Sequence, residues 1–194
     1  MQGPAIVFFA VLGWGALHSL LAGRSAKAAV RQWFGPIGEK LYRIIYNAAA
    51  VITLIPLLAV LAGHLGPVLA KIPWPWWLVT VCGQLAALAL LGFSFLQSDP
   101  PGFLGLRQLG GGQADSPLFT GGTYSIGRHP MYSLGLLILW LFPILTAGTL
   151  AFDLGITLYI LVGSELEERK LIEEYGDEYR RYKKKVARLI PYLF

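Results

Sequence analysis

Apolar residues come in long runs separated by short polar breaks. Three runs, Pro4 to Ala22, Ile44 to Ala62 and Leu78 to Leu96, approach the roughly 20 residues that a helix needs to cross a bilayer. Two more, Met131 to Ala147 and Leu150 to Val162, meet at a turn around Gly148. The second is short for a clean crossing, so the pair is expected as a helix-turn-helix tucked against the other helices. Beyond Gly163, Leu166, Leu171, Ile172, Tyr175, Tyr179, Tyr182, Val186 and Leu189 recur every three to five positions among charged residues. That period predicts an amphipathic helix, broken or bent near Gly176, that folds back on the membrane part. The expected fold class is an all-α integral membrane protein of about five transmembrane helices, three spans plus the hairpin, with a C-terminal amphipathic cytoplasmic helix. The chain reads as one domain over 1–194, with a three-helix membrane half at 1–97.

Individual residues refine this outline. Gly13 and Gly15 in the first span, and Gly83, Ala86, Ala87 and Gly92 in the third, predict faces that let helices approach closely. Pro56 predicts a kink in the second span. Trp33 and Phe34 predict a short interfacial piece before that span. Trp74, Trp76 and Trp77 are expected as interfacial anchors, and Tyr42, Tyr46 and Asn47 as an aromatic belt with a capping amide, with a wall of the active-site mouth as the sharper alternative. Asp153 is expected to cap the second member of the hairpin. His18, near the basic end of the first span, is read as a local hydrogen-bonding partner, with substrate contact as the sharper alternative.

Composition confirms the class: 55% of the 194 residues are hydrophobic, 14% are charged, and the mean hydropathy is +0.57. Arg24, Lys27, Arg31, Lys40 and Arg43 stand against one acid, Glu39, between the first two spans. By the positive-inside rule this loop is cytoplasmic, so the N-terminus is outside and the C-terminus inside. The first run is long for the apolar core of a cleavable signal and is followed by bases, as in an anchoring helix. The net charge of +5 is accounted for by segments facing anionic headgroups; membrane lipids, not nucleic acid, are the expected partners. Cys82 is the only cysteine, which excludes disulfide frameworks and cysteine zinc sites; no metal is expected.

Candidate chemistry collects near the inner end. From Gln97 to Gly127 the chain turns to Gly, Pro, Ser, Asp and Gln, a loop long enough to suggest function. It carries neither GxGxxG nor GxxxxGK, so those phosphate cradles are absent. Leu118, Phe119 and Tyr124 are the apolar members able to cover a ligand. Arg128 and His129 follow, directly before an apolar run, and ionisable groups at the edge of a membrane segment point to function. Pro130 suits the first turn of a helix and pushes the residue before it towards extended backbone. Glu167 and Glu168 lie at the matching depth and are expected to share a polar pocket with Arg128 and His129.

Taken together, Arg128-His129-Pro130-Met131-Tyr132, Glu167-Glu168, Tyr175-Gly176-Asp177-Glu178-Tyr179 and Arg188-Leu-Ile-Pro191 resemble the isoprenylcysteine carboxyl methyltransferase superfamily of integral membrane methyltransferases. The likeness covers roughly Leu118 to Pro191. His18-Ser-Leu-Leu-Ala22, Tyr42 to Asn47, Gly105-Leu-Arg-Gln108, Phe142-Pro143 and Glu167-Glu-Arg169 look more like its methanethiol S-methyltransferase branch. The resemblance implies S-adenosylmethionine as methyl donor, held by residues 98–194. Leu118, Phe119 and Tyr124 would line the donor pocket, Arg128 and His129 would meet its polar end, Pro130 and Tyr132 would shape the adenosine side, and Glu167 and Glu168 would bind amino or ribose groups. Arg128 and Glu168 are the expected catalytic pair, and Arg128→Ala or Glu168→Gln is expected to weaken donor binding with the fold intact. The acceptor would be a small or lipophilic thiol, or a prenylcysteine-type carboxylate. Transfer from a sulfonium to an anion consumes opposite charges, so a pocket that excludes water favours it. Tyr132 and Trp140 could face the sulfonium by cation–π attraction. No dedicated base is evident; Arg128 could instead favour the thiolate. An NADPH-dependent sterol-type reductase, which shares the Arg-His-Pro pattern, and a non-catalytic membrane scaffold are the alternatives.

Overall fold

Residues 2–110 and 117–189 are described by a computed structural model. The middle of the glycine-rich loop, including Gly111 and Gly112, and the terminal Ile190-Pro191 of the tail motif lie outside the described residues. Among the described residues, four helices are long and apolar enough to cross a membrane: α1 (Gln2–Leu21), α2 (Arg24–Gly63), α3 (Trp76–Gln97) and α7 (Ala147–Tyr175). Between α3 and α7 lie the short α4 (Pro100–Leu104) and α5 (Leu106–Leu109), a 3₁₀ turn at Gly122–Ser125, and α6 (Pro130–Trp140); α8 (Asp177–Lys185) follows α7. The chain is therefore an all-α integral membrane protein with one small addition. Strands β1 (Val68–Lys71) and β2 (Ile144–Thr146) pair antiparallel, Ala70 opposite Leu145 and Lys71 opposite Ile144.

The hairpin expectation is corrected in both members. The first is the short one, because Pro143 lacks the N–H that would continue the helix; α6 stops at Trp140 and the Pro143 carbonyl instead accepts from Ile72 N–H at 2.9 Å. The second is no stub. Leu, Glu, Arg and Lys are all good helix formers, so the apolar run and the charged run after it form one helix of 29 residues. Its cap is Thr146, not Asp153. Thr146 Oγ1 accepts from Thr149 N–H at 3.1 Å while Thr149 Oγ1 accepts from Thr146 N–H at 2.8 Å, a reciprocal capping box. Asp153 sits inside the helix, 5% exposed.

Helix α2 is also longer than expected, and it breaks at Gly35 (φ 61°, ψ −152°), ahead of Pro36, with Pro56 in regular helix. The break sets residues 24–34 apart as a separate piece carrying exposed Trp33 and Phe34. Val7 and Val11 of α1, Leu57 of α2, and Ala151 and Phe152 of α7 form the buried core. Two glycines set the α1–α7 approach. A Cβ on Gly15 would lie 2.6 Å from Tyr159 Cδ2, and one on Gly155 would lie 2.9 Å from Val11 Cγ1. Gly13 and Gly92, expected at such contacts, have nothing within 4 Å. Gly83 does meet a neighbour, Leu141 beyond the end of α6, while Gln84 Nε2 donates to Ile138 O at 2.8 Å.

Candidate functional site

The site begins with a backbone contact. Arg128 N–H donates to Ala187 O at 2.9 Å and His129 N–H to Arg188 O at 3.0 Å, so the chain after α8 runs as a parallel bridge beside 127–129. Gly127 makes this possible: a Cβ there would lie 2.7 Å from Leu189 O. His129 then precedes Pro130 with φ −123° and ψ 64°, outside the helical region that a following proline disfavours. On the other side, Gly176 at φ 56° turns α7 into α8. Tyr179 and Tyr182 of α8 are buried against the bridge.

Arg128 is fully engaged in this frame. Its Nε donates to Glu168 Oε1 at 2.7 Å, Nη2 stands 2.6 Å from the same oxygen, and Nη1 donates to the carbonyls of Lys183 and Val186. Glu168 Oε2 pairs with Lys183 Nζ at 2.7 Å. The Arg128 and Glu168 side chains are 7% and 1% exposed. A carboxylate so deeply removed from water is tolerated because two cations surround it. The Tyr182 hydroxyl donates to Tyr124 O. Burial, partly offset by the nearby Arg128 guanidinium, pushes the Tyr182 phenol up to about 12, and burial raises Tyr179 in the same direction.

Glu167, one residue earlier, faces outward. Its Oε2 accepts from Tyr132 OH at 2.8 Å and lies 3.7 Å from His129 Nδ1, with 44% of the side chain exposed. The His129 and Tyr132 rings stack, 5.4 Å apart and 11° from parallel. Tyr132 of α6 is in contact with Glu167, and Tyr46 of α2, Tyr124 of the 3₁₀ turn and Tyr159 of α7 lie within electrostatic range of it. The result is a half-exposed carboxylate held against Tyr132 and His129 in the last third of α7. His129 Nε2 is buried without a hydrogen-bond partner, 3.5 Å from Glu168 Oε1.

Of the residues expected here, Arg128, His129, Tyr132, Glu167 and Glu168 are brought together, and Pro130 is buried directly beside them. Tyr124 joins from the loop; Phe119 packs edge-on against it at 5.8 Å and is otherwise exposed, and Leu118 is half-buried next to Phe119. The belt residues divide. Tyr42 OH donates to Leu21 O and Asn47 Nδ2 to Phe103 O at 2.9 Å, whereas the Tyr46 ring meets His18 edge-on at 5.8 Å. Sequence reasoning missed Lys183 and Tyr159. Lys183 was legible as the fourth residue after Tyr179, on the same face of α8; Tyr159 is a single polar tip in an apolar run and gave no periodic signal.

Comparison with known proteins bears out the resemblance over part of the chain. A methanethiol S-methyltransferase of Pseudomonas deceptionensis is 49% identical over 70 residues, 36% of this chain and 27% of that protein. Methanethiol S-methyltransferase 1 of Bradyrhizobium diazoefficiens is 47% identical over 87 residues, 44% of this chain and 30% of its own length. A methanethiol S-methyltransferase of Mycobacterium tuberculosis is 43% identical over 65 residues, 34% and 27% of the respective chains. The chain thus matches less than a third of the length of these curated relatives. No family model and no solved structure matches it.

Proposed function

We propose that this chain is an integral membrane methyltransferase that uses S-adenosylmethionine to methylate a small or lipophilic thiol. The observation that carries the reading is Glu167, a half-exposed carboxylate that accepts from Tyr132 OH beside the stacked His129 ring. The donor is a cation with a flat purine, and this set suits it: phenol faces attract a cation, a carboxylate attracts its ammonium or sulfonium, and a stacked ring pair offers a surface for the base. The names of the relatives favour thiol methylation over nicotinamide-dependent reduction or a scaffold role. By the same reasoning residues 98–194 would hold the donor, and the basic inner end would face the cytoplasm.

When bound, the donor supplies an electrophilic methyl group on sulfur. Glu167 and Tyr132 would fix its positive end, and the open face of Tyr132, backed by the stacked His129 ring, would carry its flat part. Tyr124, with Phe119 and Leu118 behind it, would cover the site and exclude water. Arg128 and Glu168 serve this arrangement from behind, by fastening the tail that places His129 and Glu167. Positioning of this kind supplies much of the rate enhancement in an in-line displacement.

The test is equilibrium binding of S-adenosylmethionine and of NADPH to the full chain in detergent micelles, paired with thioether formation from methanethiol and longer alkyl thiols. Donor binding with thioether formation is expected. Binding of NADPH alone, or of neither ligand, overturns the proposal.

A further inference from the structure

Outside the donor site, α7 carries a second pattern. Leu154, Leu158, Val162 and Leu166 follow one another in steps of four and are each between 43% and 53% exposed, an apolar ridge left open to lipid. Twelve residues of helix span about 18 Å, close to the roughly 15 Å that one leaflet contributes to the hydrocarbon core. The ridge runs out beside Glu165 and Arg169, where the charged part of the helix begins.

There the surface is hollowed. Leu161, Val162, Glu165, Leu166 and Arg169 of α7, with Arg188 from the tail, line a groove of about 350 Å³. Its polar end holds two guanidiniums and one carboxylate: Glu165 Oε2 accepts from Arg188 Nη1 at 3.0 Å, and Glu165 Oε1 lies 3.5 Å from Arg169 Nε. This triad has one positive charge in excess. A guanidinium offers five N–H donors in a planar fork, and among the described residues Glu165 engages one nitrogen of each, which leaves N–H groups on both for a phosphate. Arg188 is set into the wall and Arg169 stands at the rim, their side chains 22% and 68% exposed. An apolar ridge one leaflet long that ends in a single surplus positive charge is the complement of a lipid with one phosphate charge. A lipid without net charge leaves the surplus unmatched, and a free anion leaves the ridge and the groove in contact with water.

We propose that the groove seats one anionic phospholipid, its phosphate against Arg169 and Arg188 and an acyl chain along Leu166, Val162 and Leu158. The seat reaches the tail through one residue. Arg188 O accepts from His129 N–H at 3.0 Å, and Ala187 O beside it accepts from Arg128 N–H at 2.9 Å. A lipid that holds the Arg188 side chain therefore braces the bridge on which Arg128 and His129 hang, and stabilises it by linkage. The proposal is independent of the methyltransferase reading, because lipid and bridge are both measured without donor or acceptor.

The experiment uses the full chain in micelles of a neutral detergent, with bound lipid counted by native mass spectrometry and hydrogen exchange followed at the amides of Arg128 and His129. Dioleoylphosphatidylglycerol supplies charge and chains, dioleoylphosphatidylcholine the same chains without net charge, and inorganic phosphate the charge without chains. Phosphatidylglycerol alone is expected to bind as a single retained copy and to slow exchange at both amides. Arg169→Gln should weaken its binding about tenfold or more, the weight of one charge-assisted hydrogen bond. Lys184→Gln/Lys185→Gln, on the exposed side of α8, should change it less than about twofold. Phosphatidylcholine bound as tightly as phosphatidylglycerol, inorganic phosphate bound equally well, or equal losses in the α8 variant and Arg169→Gln each overturn the proposal. So do wild-type lipid affinity in Arg169→Gln and amide exchange that lipid leaves unchanged. If Arg169→Gln does not fold, Val162→Trp, which fills the groove from its exposed side, decides: loss of phosphatidylglycerol supports the seat, and wild-type affinity overturns it.

Discussion

Arg128 and Glu168, forty positions apart, form a two-point ion pair at 2.6 and 2.7 Å that is almost closed to solvent. The pair joins the entrance of α6 to the last third of α7, and through Lys183 and the carbonyls of Lys183 and Val186 it also holds α8 and the bridge after it. Its position makes it a fastening for the tail, with Glu167 and His129 carried on its outer side.

Breaking this pair should cost stability, contrary to the sequence expectation that the fold survives intact. Removing one member of a buried pair leaves an uncompensated charge, at about 3–5 kcal/mol. Arg128→Ala and Glu168→Gln are each expected to lower the unfolding temperature in detergent markedly. The double variant Arg128→Met/Glu168→Leu should recover part of the loss, because it leaves neither charge alone. Unfolding temperatures equal to wild type in both single variants would show that the pair fastens nothing.

Glu167 should behave in the opposite way. Its side chain is 44% exposed and, among the described residues, has a single hydrogen bond, from Tyr132. Glu167→Gln is expected to leave the unfolding temperature within about a degree of wild type, yet weaken S-adenosylmethionine binding by about tenfold or more, roughly 1.4 kcal/mol. Tyr132→Phe, which removes one hydrogen bond to a charged group, should weaken it by about 1.5–3 kcal/mol at most. Calorimetry on the purified variants measures both effects.

The contrast between neighbouring glutamates marks where the sequence stops being legible. Adjacent helical positions point about 100° apart, so a paired acid motif announces a polar region without saying which member is buried. Arg128, His129 and the glutamates could be matched in depth because both sets abut apolar runs of known length. The extent of α7 could not, since the end of hydrophobicity at Gly163 is a change of solvent and not of conformation. The β1–β2 pair was hidden for a different reason. Val68–Lys71 and Ile144–Thr146 are four and three residues long, and such runs carry too few alternations to be distinguished from loop or helix end. His18 was visible as a polar residue in a span; its partner Thr53 stands 35 positions later, beyond the reach of any local pattern.

Helix contacts offer a sharp internal control. A methyl group at Gly15 would intrude to 2.6 Å from Tyr159, while one at Gly13, half a turn away, meets nothing within 4 Å. Gly15→Ala is expected to destabilise by about 1–3 kcal/mol, as overpacking does. Gly13→Ala should be neutral or slightly stabilising, since alanine is the better helix former by about 1 kcal/mol. Thermal unfolding of the two variants in one detergent gives the comparison, and equal shifts would mean that α1 and α7 do not meet at Gly15.

Alkaline pH should loosen the tail through Tyr182. Its phenol, ordinarily near 10, is pushed up to about 12 because burial disfavours the phenolate more than Arg128 favours it. The folded state therefore prefers the protonated form, and the sign follows. The stabilisation is complete below pH 10 and is lost as pH rises from 10 towards 12, where the unfolded chain ionises first. Tyr179, raised in the same direction, adds to the loss. Lysines titrate over the same range, so the measured quantity is the difference between two proteins. Wild type should lose more of its unfolding temperature between pH 10 and 12 than Tyr182→Phe, which has no proton to release there but lacks the hydrogen bond to Tyr124 O and starts lower. Parallel curves for the two would place Tyr182 in water and detach α8 from the bridge at Gly127.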